Sequence, residues 1–192
     1  MSSRETILQA IRAHKPAGVP RPESPAITSS DPETLVAAFE AMVQAIGGRV
    51  ERTSRAGAAD AVARAYPDAR VVASAVAGIA GTVRLEEVGD PHDLAGLDLM
   101  VLEGDLGVSE NGAVWVYEHQ MVHRAAPFIA QHLAIVLDAG RLVPDMHAAY
   151  AAVRTDIEGF GVFIAGPSKT ADIEQSLVLG AHGPRSLLVV LV

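Results

Sequence analysis

Residues 161–192 read G-V-F-I-A-G-P-S-K-T-A-D-I-E-Q-S-L-V-L-G-A-H-G-P-R-S-L-L-V-V-L-V. An apolar run at 161–165 meets Gly166-Pro167-Ser168, and a mixed segment follows at 170–179 until Gly180. His182-Gly183-Pro184 then leads into an uninterrupted apolar run at 187–192. This reads as strand, turn, helix, link, strand. The last run lacks the polar alternation of a half-exposed strand. It belongs in a sheet covered on both faces, as parallel strands with flanking helices are. The expected fold class is α/β, a single-domain sheet with flanking helices.

The same rhythm extends upstream. Residues 133–138 form a buried-type strand and 144–155 a helix. Residues 97–102 form a compact apolar run, and 106–108 and 113–117 flank Asn111-Gly112, the strongest short-range signal for a β-hairpin. A strand-rich hairpin insertion is expected in the middle. Asp31-Pro32 opens a helix with Leu35, Phe39, Met42 and Ile46 at helical spacing, and Gly47-Gly48 stops it. A short strand at 49–53, an Ala-rich helix at 56–66 and a strand at 69–74 follow in βαβ order. At the start, Ser2 and Glu5 form a capping box for an amphipathic helix over 3–13. Its apolar face (Ile7, Leu8, Ile11) is expected to dock on its own domain or on a partner. Four prolines between 16 and 25 prevent helix there. The organisation is an N-terminal helix at 1–13, a Pro-rich linker at 14–30 and an α/β domain at 31–192.

Totals narrow the function. A chain of 192 residues can bury roughly 70% of its unfolded surface and needs no covalent staple. There is no cysteine, which excludes disulfides, a thiol nucleophile and thiolate ligation of iron–sulfur clusters. The net charge is −8 and the basic residues are scattered, so nucleic acid is not an expected partner. The first twelve residues are charged without an apolar core, and the longest apolar stretch is too short to span a bilayer. A soluble cytoplasmic protein is expected.

Chemistry-bearing residues fall in three groups. Gly166-Pro167-Ser168 before a helix at about Thr170 would place free N–H groups and two hydroxyls at an anion. The plainer reading makes Ser168 or Thr170 an N-cap, with Asp172 and Glu174 favouring the helix dipole. Glu118, His119, His123 and His132 suggest a metal by composition. However, Tyr117 and Glu118 look like strand and no His-Glu-x-x-His pattern occurs, so no metal is expected. Glu110 precedes the Asn111-Gly112 turn, and the turn alone explains the pair.

Thr170-Ala171-Asp172-Ile173-Glu174, followed by His182-Gly183-Pro184, resembles the C-terminal signature of the LUD domain, the family of lactate utilization protein C. The resemblance also takes in Arg124-Ala125-Ala126-Pro127, His132 and the strand–turn–strand around Glu110. It implies a fold like the ribose-5-phosphate isomerase/CoA-transferase superfamily. It also implies a non-redox part in oxidising L-lactate to pyruvate. Partner proteins would carry the iron–sulfur clusters, and this chain would bind no cofactor. Asn111, Gly112, Arg124, Gly166, Ser168, Thr170, Asp172, His182 and Gly183 are the expected ligand-binding set, for a small carboxylate or phosphate. Where the family shows Glu-Thr-Gly and a small hydroxyl residue, this chain has Glu110-Asn111-Gly112-Ala113. Ser109-Glu110-Asn111-Gly112 also resembles the signature around the nucleophilic glutamate of class I CoA-transferases. That supports an alternative, a stand-alone enzyme on a small anionic or acyl substrate with Glu110 catalytic. No Gly-rich loop for a CoA pyrophosphate accompanies it.

Overall fold

A computed structural model describes residues 2–15, 18, 20, 31–154, 159–173 and 176–192. Helix α1 (Ser3–Ala13) and α2 (Pro32–Ala45) lead into β1 (Arg49–Arg52), α3 (Ala58–Ala65) and β2 (Val72–Ser74). Then come β3 (Leu99–Glu103), β4 (Leu106–Val108), β5 (Ala113–Tyr117), α4 (Glu118–Met121) and α5 (Ala126–Ile129). The chain continues through β6 (His132–Leu137), β7 (Leu142–Val143), α6 (Met146–Ala152), β8 (Gly161–Ile164), β9 (Lys169–Ile173), β10 (Ser176–Leu179) and β11 (Ser186–Leu191).

The longest apolar runs make one sheet in the order β1-β11-β6-β3-β2, parallel throughout. Its side chains alternate between two cores, as the period of two demands. Leu187, Val189, Leu191, Leu133, Ile135 and Met100 face a core shared with α2 and with Val114 and Val116 of β5. Leu188, Val190, Ala134, Val136 and Val101 face a second core closed by Ala58, Ala61 and Val62 of α3 and by Tyr66. The runs are apolar on both faces because both faces are covered. The C-terminal run occupies the interior of the sheet, as its composition predicts.

The expected insertion is a second sheet of four strands, β7-β4-β5-β8, in which β5 pairs antiparallel with both β4 and β8. Its hairpin loop is longer than Asn-Gly alone suggests. Val108 and Ala113 pair, leaving four residues in the loop, and only Gly112 has a positive φ, of 69°. A two-residue turn of type I′ would need positive φ at both Asn111 and Gly112.

Helix α2 starts as its sequence predicts: Asp31 accepts the Thr34 N–H at 2.9 Å, and Pro32 takes the first turn. Helix α1 has its capping box, yet it buries no residue, and Ile7 and Ile11 are 59% and 61% exposed. Most of the Pro-rich stretch lies outside the described residues, as does Thr155 at the end of the expected 144–155 helix. No helix among the described residues is long and apolar enough to cross a membrane.

One element differs from its expectation. Residues 170–173 and 176–179 are strand, not helix: β9 and β10 form an antiparallel hairpin with Thr170 opposite Val178 and Lys169 opposite Leu179. The apolar run Leu177-Val178-Leu179 is contiguous, and Ile173 with Leu177 is the only large apolar pair here at a spacing of four. β-branched Thr170, Ile173 and Val178 favour extended backbone. Gly180, at φ 76°, donates its N–H to the Ser168 carbonyl at 3.0 Å and closes the base of the hairpin. It is a strand-end turn, not a helix cap.

Phe39 of α2 is fully buried in the core between the two sheets. Phe39→Ala is expected to lower the unfolding free energy by about 3–5 kcal/mol, read from the urea midpoint at unchanged slope.

Candidate functional site

The Ser109–Gly112 loop is fixed at every residue. Ser109 is buried, and its hydroxyl donates to the Leu35 carbonyl of α2 at 2.9 Å. Asn111 Oδ1 accepts the Ala113 N–H at 3.0 Å, the local bond that suits asparagine to turns. A Cβ on Gly112 would lie 2.9 Å from the Val43 nitrogen, so side-chain room and backbone conformation both select glycine. Glu110 is exposed, and its Oε2 accepts the Met146 N–H at 3.0 Å, at the start of α6. Asp145 caps the same helix through the Ala148 N–H at 2.7 Å. The carboxylate therefore supplies an acceptor to an open helix end.

The glycine-rich pieces near the C-terminus do meet. Ser168 N–H donates to the Pro184 carbonyl at 2.8 Å, and Gly183 lies against the Ser168 side chain. Gly166, at φ 72°, approaches the Ile46 carbonyl so closely that a Cβ would sit 2.9 Å from it. Gly166, Ser168 and Gly183 thus share one neighbourhood, with exposed His182 beside them. Ser168 and Thr170 feed a strand, however, so the expected helix N-terminus for an anion does not form. Asp172 lies in β9, and Glu174 lies outside the described residues.

Arg124 stands beyond the other end of β5, away from Glu110. It forms a two-pronged pair with Glu118, one bond at 2.9 Å, and lies over the Phe160 ring. Glu118 also accepts the Phe160 N–H at 2.8 Å. These partners hold its carboxyl below the usual carboxylate range, the Arg124 hydrogen bonds first. Between α4 and α5, Val122 adopts φ 60°, a costly conformation for a β-branched residue. His119 stacks on Tyr117, while His132 opens β6. Among the described residues no three His, Asp or Glu side chains converge as a metal-ligand set.

His132 marks a constellation that composition did not bring together. Arg49, Asp98, His132 and Arg185-Ser186 each stand at or just before the start of a parallel strand, which places them along one sheet edge. With Tyr66, beyond α3, they line an open cavity of about 450 Å³. His132 Nδ1 lies 2.8 Å from Ser186 Oγ, which lies 3.2 Å from the Tyr66 hydroxyl. That hydroxyl donates to the Leu133 carbonyl at 3.2 Å. Burial pushes the His132 pKa down, and Arg185 and Arg49 push it further, with Asp98 opposing. The available signal was positional: a polar residue opening each buried strand of a parallel sheet.

The LUD domain family matches residues 91–192, more than half of the 192-residue chain. The chain is 33% identical over 94 residues to "Lactate utilization protein C" of Geobacillus kaustophilus (strain HTA426), covering 46% of this chain and 39% of that protein. It is 33% identical over 90 residues to the protein of the same name in Bacillus pumilus (strain SAFR-032), covering 44% and 38%. The chain thus spans about two fifths of the length of the curated relatives it matches. A crystal structure of a DUF162 family protein from Deinococcus radiodurans shares the fold, with a TM-score of 0.64, 21% identity and coverage of 85% of this chain and 99% of that one.

Two outcomes check the geometry. Gly112→Ala should cost about 1–3 kcal/mol in denaturant unfolding, through the strained φ and the contact with α2. His132 has a folded pKa below the ordinary 6.5. As pH falls through that value the unfolded chain takes the proton first, so stability declines below it. Denaturation curves between pH 7 and 5 should show a smaller decline in His132→Gln than in the wild type.

Proposed function

We propose a function for a chain that belongs to the LUD domain family, whose match takes in residues 91–192. The reading is a component of lactate utilization that acts in the cytoplasm without a redox centre of its own. Partner proteins with iron–sulfur centres would accept the electrons as L-lactate becomes pyruvate. The observation that carries this is the likeness at 30–33% identity to relatives named lactate utilization protein C. The chemistry agrees. Oxidising lactate to pyruvate releases two electrons, and a chain without cysteine has no thiolate to hold a cluster that could take them.

The parallel sheet with its inserted antiparallel sheet supports a CoA-transferase-like architecture for the domain. An acyl-glutamyl reaction asks for more: a free carboxylate and a donor at the developing oxyanion. Glu110 instead accepts the first N–H of α6. That favours the subunit over the stand-alone enzyme.

The test is isolation from native cells without oxygen, through an N-terminal tag that spares β11. A brown complex is expected, one that reduces dye with L-lactate and keeps its rate within about twofold in Glu110→Gln, as a merely structural carboxylate predicts. A colourless chain that turns over an acyl-CoA alone, and loses that activity in Glu110→Gln, would overturn the reading in favour of the transferase.

A further inference from the structure

We propose that the cavity at the amino ends of the parallel strands binds a small organic anion. Its carboxylate or phosphate group meets Arg49 and Arg185, and its hydrogen-bond donor meets Asp98. This rests on side chains the lactate reading does not use.

The first ground is charge. The chain carries 23 acidic against 15 basic residues, so guanidiniums have carboxylates to spare. Arg52, Arg55, Arg64, Arg84, Arg124 and Arg141 each pair with one. Arg49 and Arg185 line the same cavity, and neither guanidinium has an ion-pair or hydrogen-bond partner among the described residues. Arg49 lies over the Tyr66 ring, 5.3 Å from its centroid, which holds it at the cavity while leaving its N–H fork open. A guanidinium so placed suits the two oxygens of a carboxylate or phosphate.

The second ground is the division between satisfied and open groups. Tyr66, Ser186 and His132 satisfy one another, forming a fixed polar wall. Asp98 Oδ2 accepts the Arg70 and Val71 N–H groups at 2.8 Å each, but Oδ1 has no such partner among the described residues. The lining thus offers two cationic forks, the Asp68 carboxylate and one oxygen of Asp98. A bare anion satisfies only the forks; an anion with an adjacent hydroxyl or amine also satisfies a carboxylate oxygen. The volume of about 450 Å³ lies in the range of small-molecule pockets.

The test uses inorganic phosphate, L-lactate and acetate as probes, each titrated into the full chain by calorimetry at constant ionic strength. Saturable binding of phosphate or L-lactate is expected, with a Kd of about 1 mM or tighter. Arg185→Gln and Arg49→Gln should each weaken it about tenfold, while Arg64→Gln, whose residue already pairs with Glu51, should not. Saturation by phosphate alone assigns a phosphoryl ligand; saturation by L-lactate above acetate assigns a carboxylate with a neighbouring donor. Both support the site. No saturation by about 10 mM of either overturns it, and so does full affinity in the double variant with native circular dichroism and unfolding midpoint.

Discussion

The last turn of α2 receives two separate backbone turns, and the rest of the architecture follows from that. Gly112, from the β4–β5 loop, presses on Val43; Gly166, after β8, presses on Ile46. Both have positive φ, and a Cβ would come 2.9 Å from the Val43 nitrogen of α2 at the first and 2.9 Å from the carbonyl of its C-cap Ile46 at the second. The same helix sends Phe39 and Val43 into the core between the two sheets. A packed interior does not tolerate a shift of such a helix by even a methylene. The antiparallel sheet is therefore tied to this helix end at two points, and its Val114 and Val116 also pack directly in the core shared with the parallel sheet. The Ser-Glu-Asn-Gly motif serves this contact: Ser109 bonds α2 and Glu110 bonds α6, so one loop joins two helices.

What the sequence made legible tracks what its pattern could encode. Strands at 97–102, 113–117, 133–138 and 187–192 were readable because each is a short run too apolar for the surface. Helix α2 was readable from Asp31-Pro32 and from the spacing of its apolar residues. Residues 170–179 were misread because acidic residues after Ser-Lys-Thr imitate a helix start, and Gly180 imitates a helix end. Ile173 and Leu177 share a helical spacing while Leu177-Val178-Leu179 suits a short strand, so the pattern alone does not arbitrate. Cross-strand pairing, which one sequence does not display, decided it. In the same way, an Asn-Gly pair announces a hairpin but not its loop length, which Gly112 and its contact with α2 set.

The sites divide similarly. Gly166, Ser168 and Gly183 gather around a hairpin base rather than a helix end, a meeting that spacing alone did not give. His132 stood out by composition among possible metal ligands, yet its partner is Ser186, 54 residues away. Arg49, Tyr66, Asp98 and Arg185 gave no sign individually. For Arg49, Asp98 and Arg185 the common property is register: parallel strands bring the residues at their starts to one edge whatever the distance along the chain. Strand order, not motif, assembles such a site.

The two edges of the parallel sheet differ in how far their charges are spent. In open α/β sheets, ligands usually bind beyond the carboxyl ends of the strands. At that edge here, Arg52 closing β1 pairs with Glu33 and Glu40, and Glu103 closing β3 pairs with Arg55. These two charges are paired within the chain. At the amino edge Arg49 and Arg185 remain open, and after burial they are the next causes that push the His132 pKa down, with Asp98 opposing. An anion seated between the two guanidiniums would offset both, so the imidazole would hold its proton more readily. Occupancy and protonation would then favour each other, as linkage requires. The amino edge therefore combines uncommitted charge with a group able to register its neutralisation.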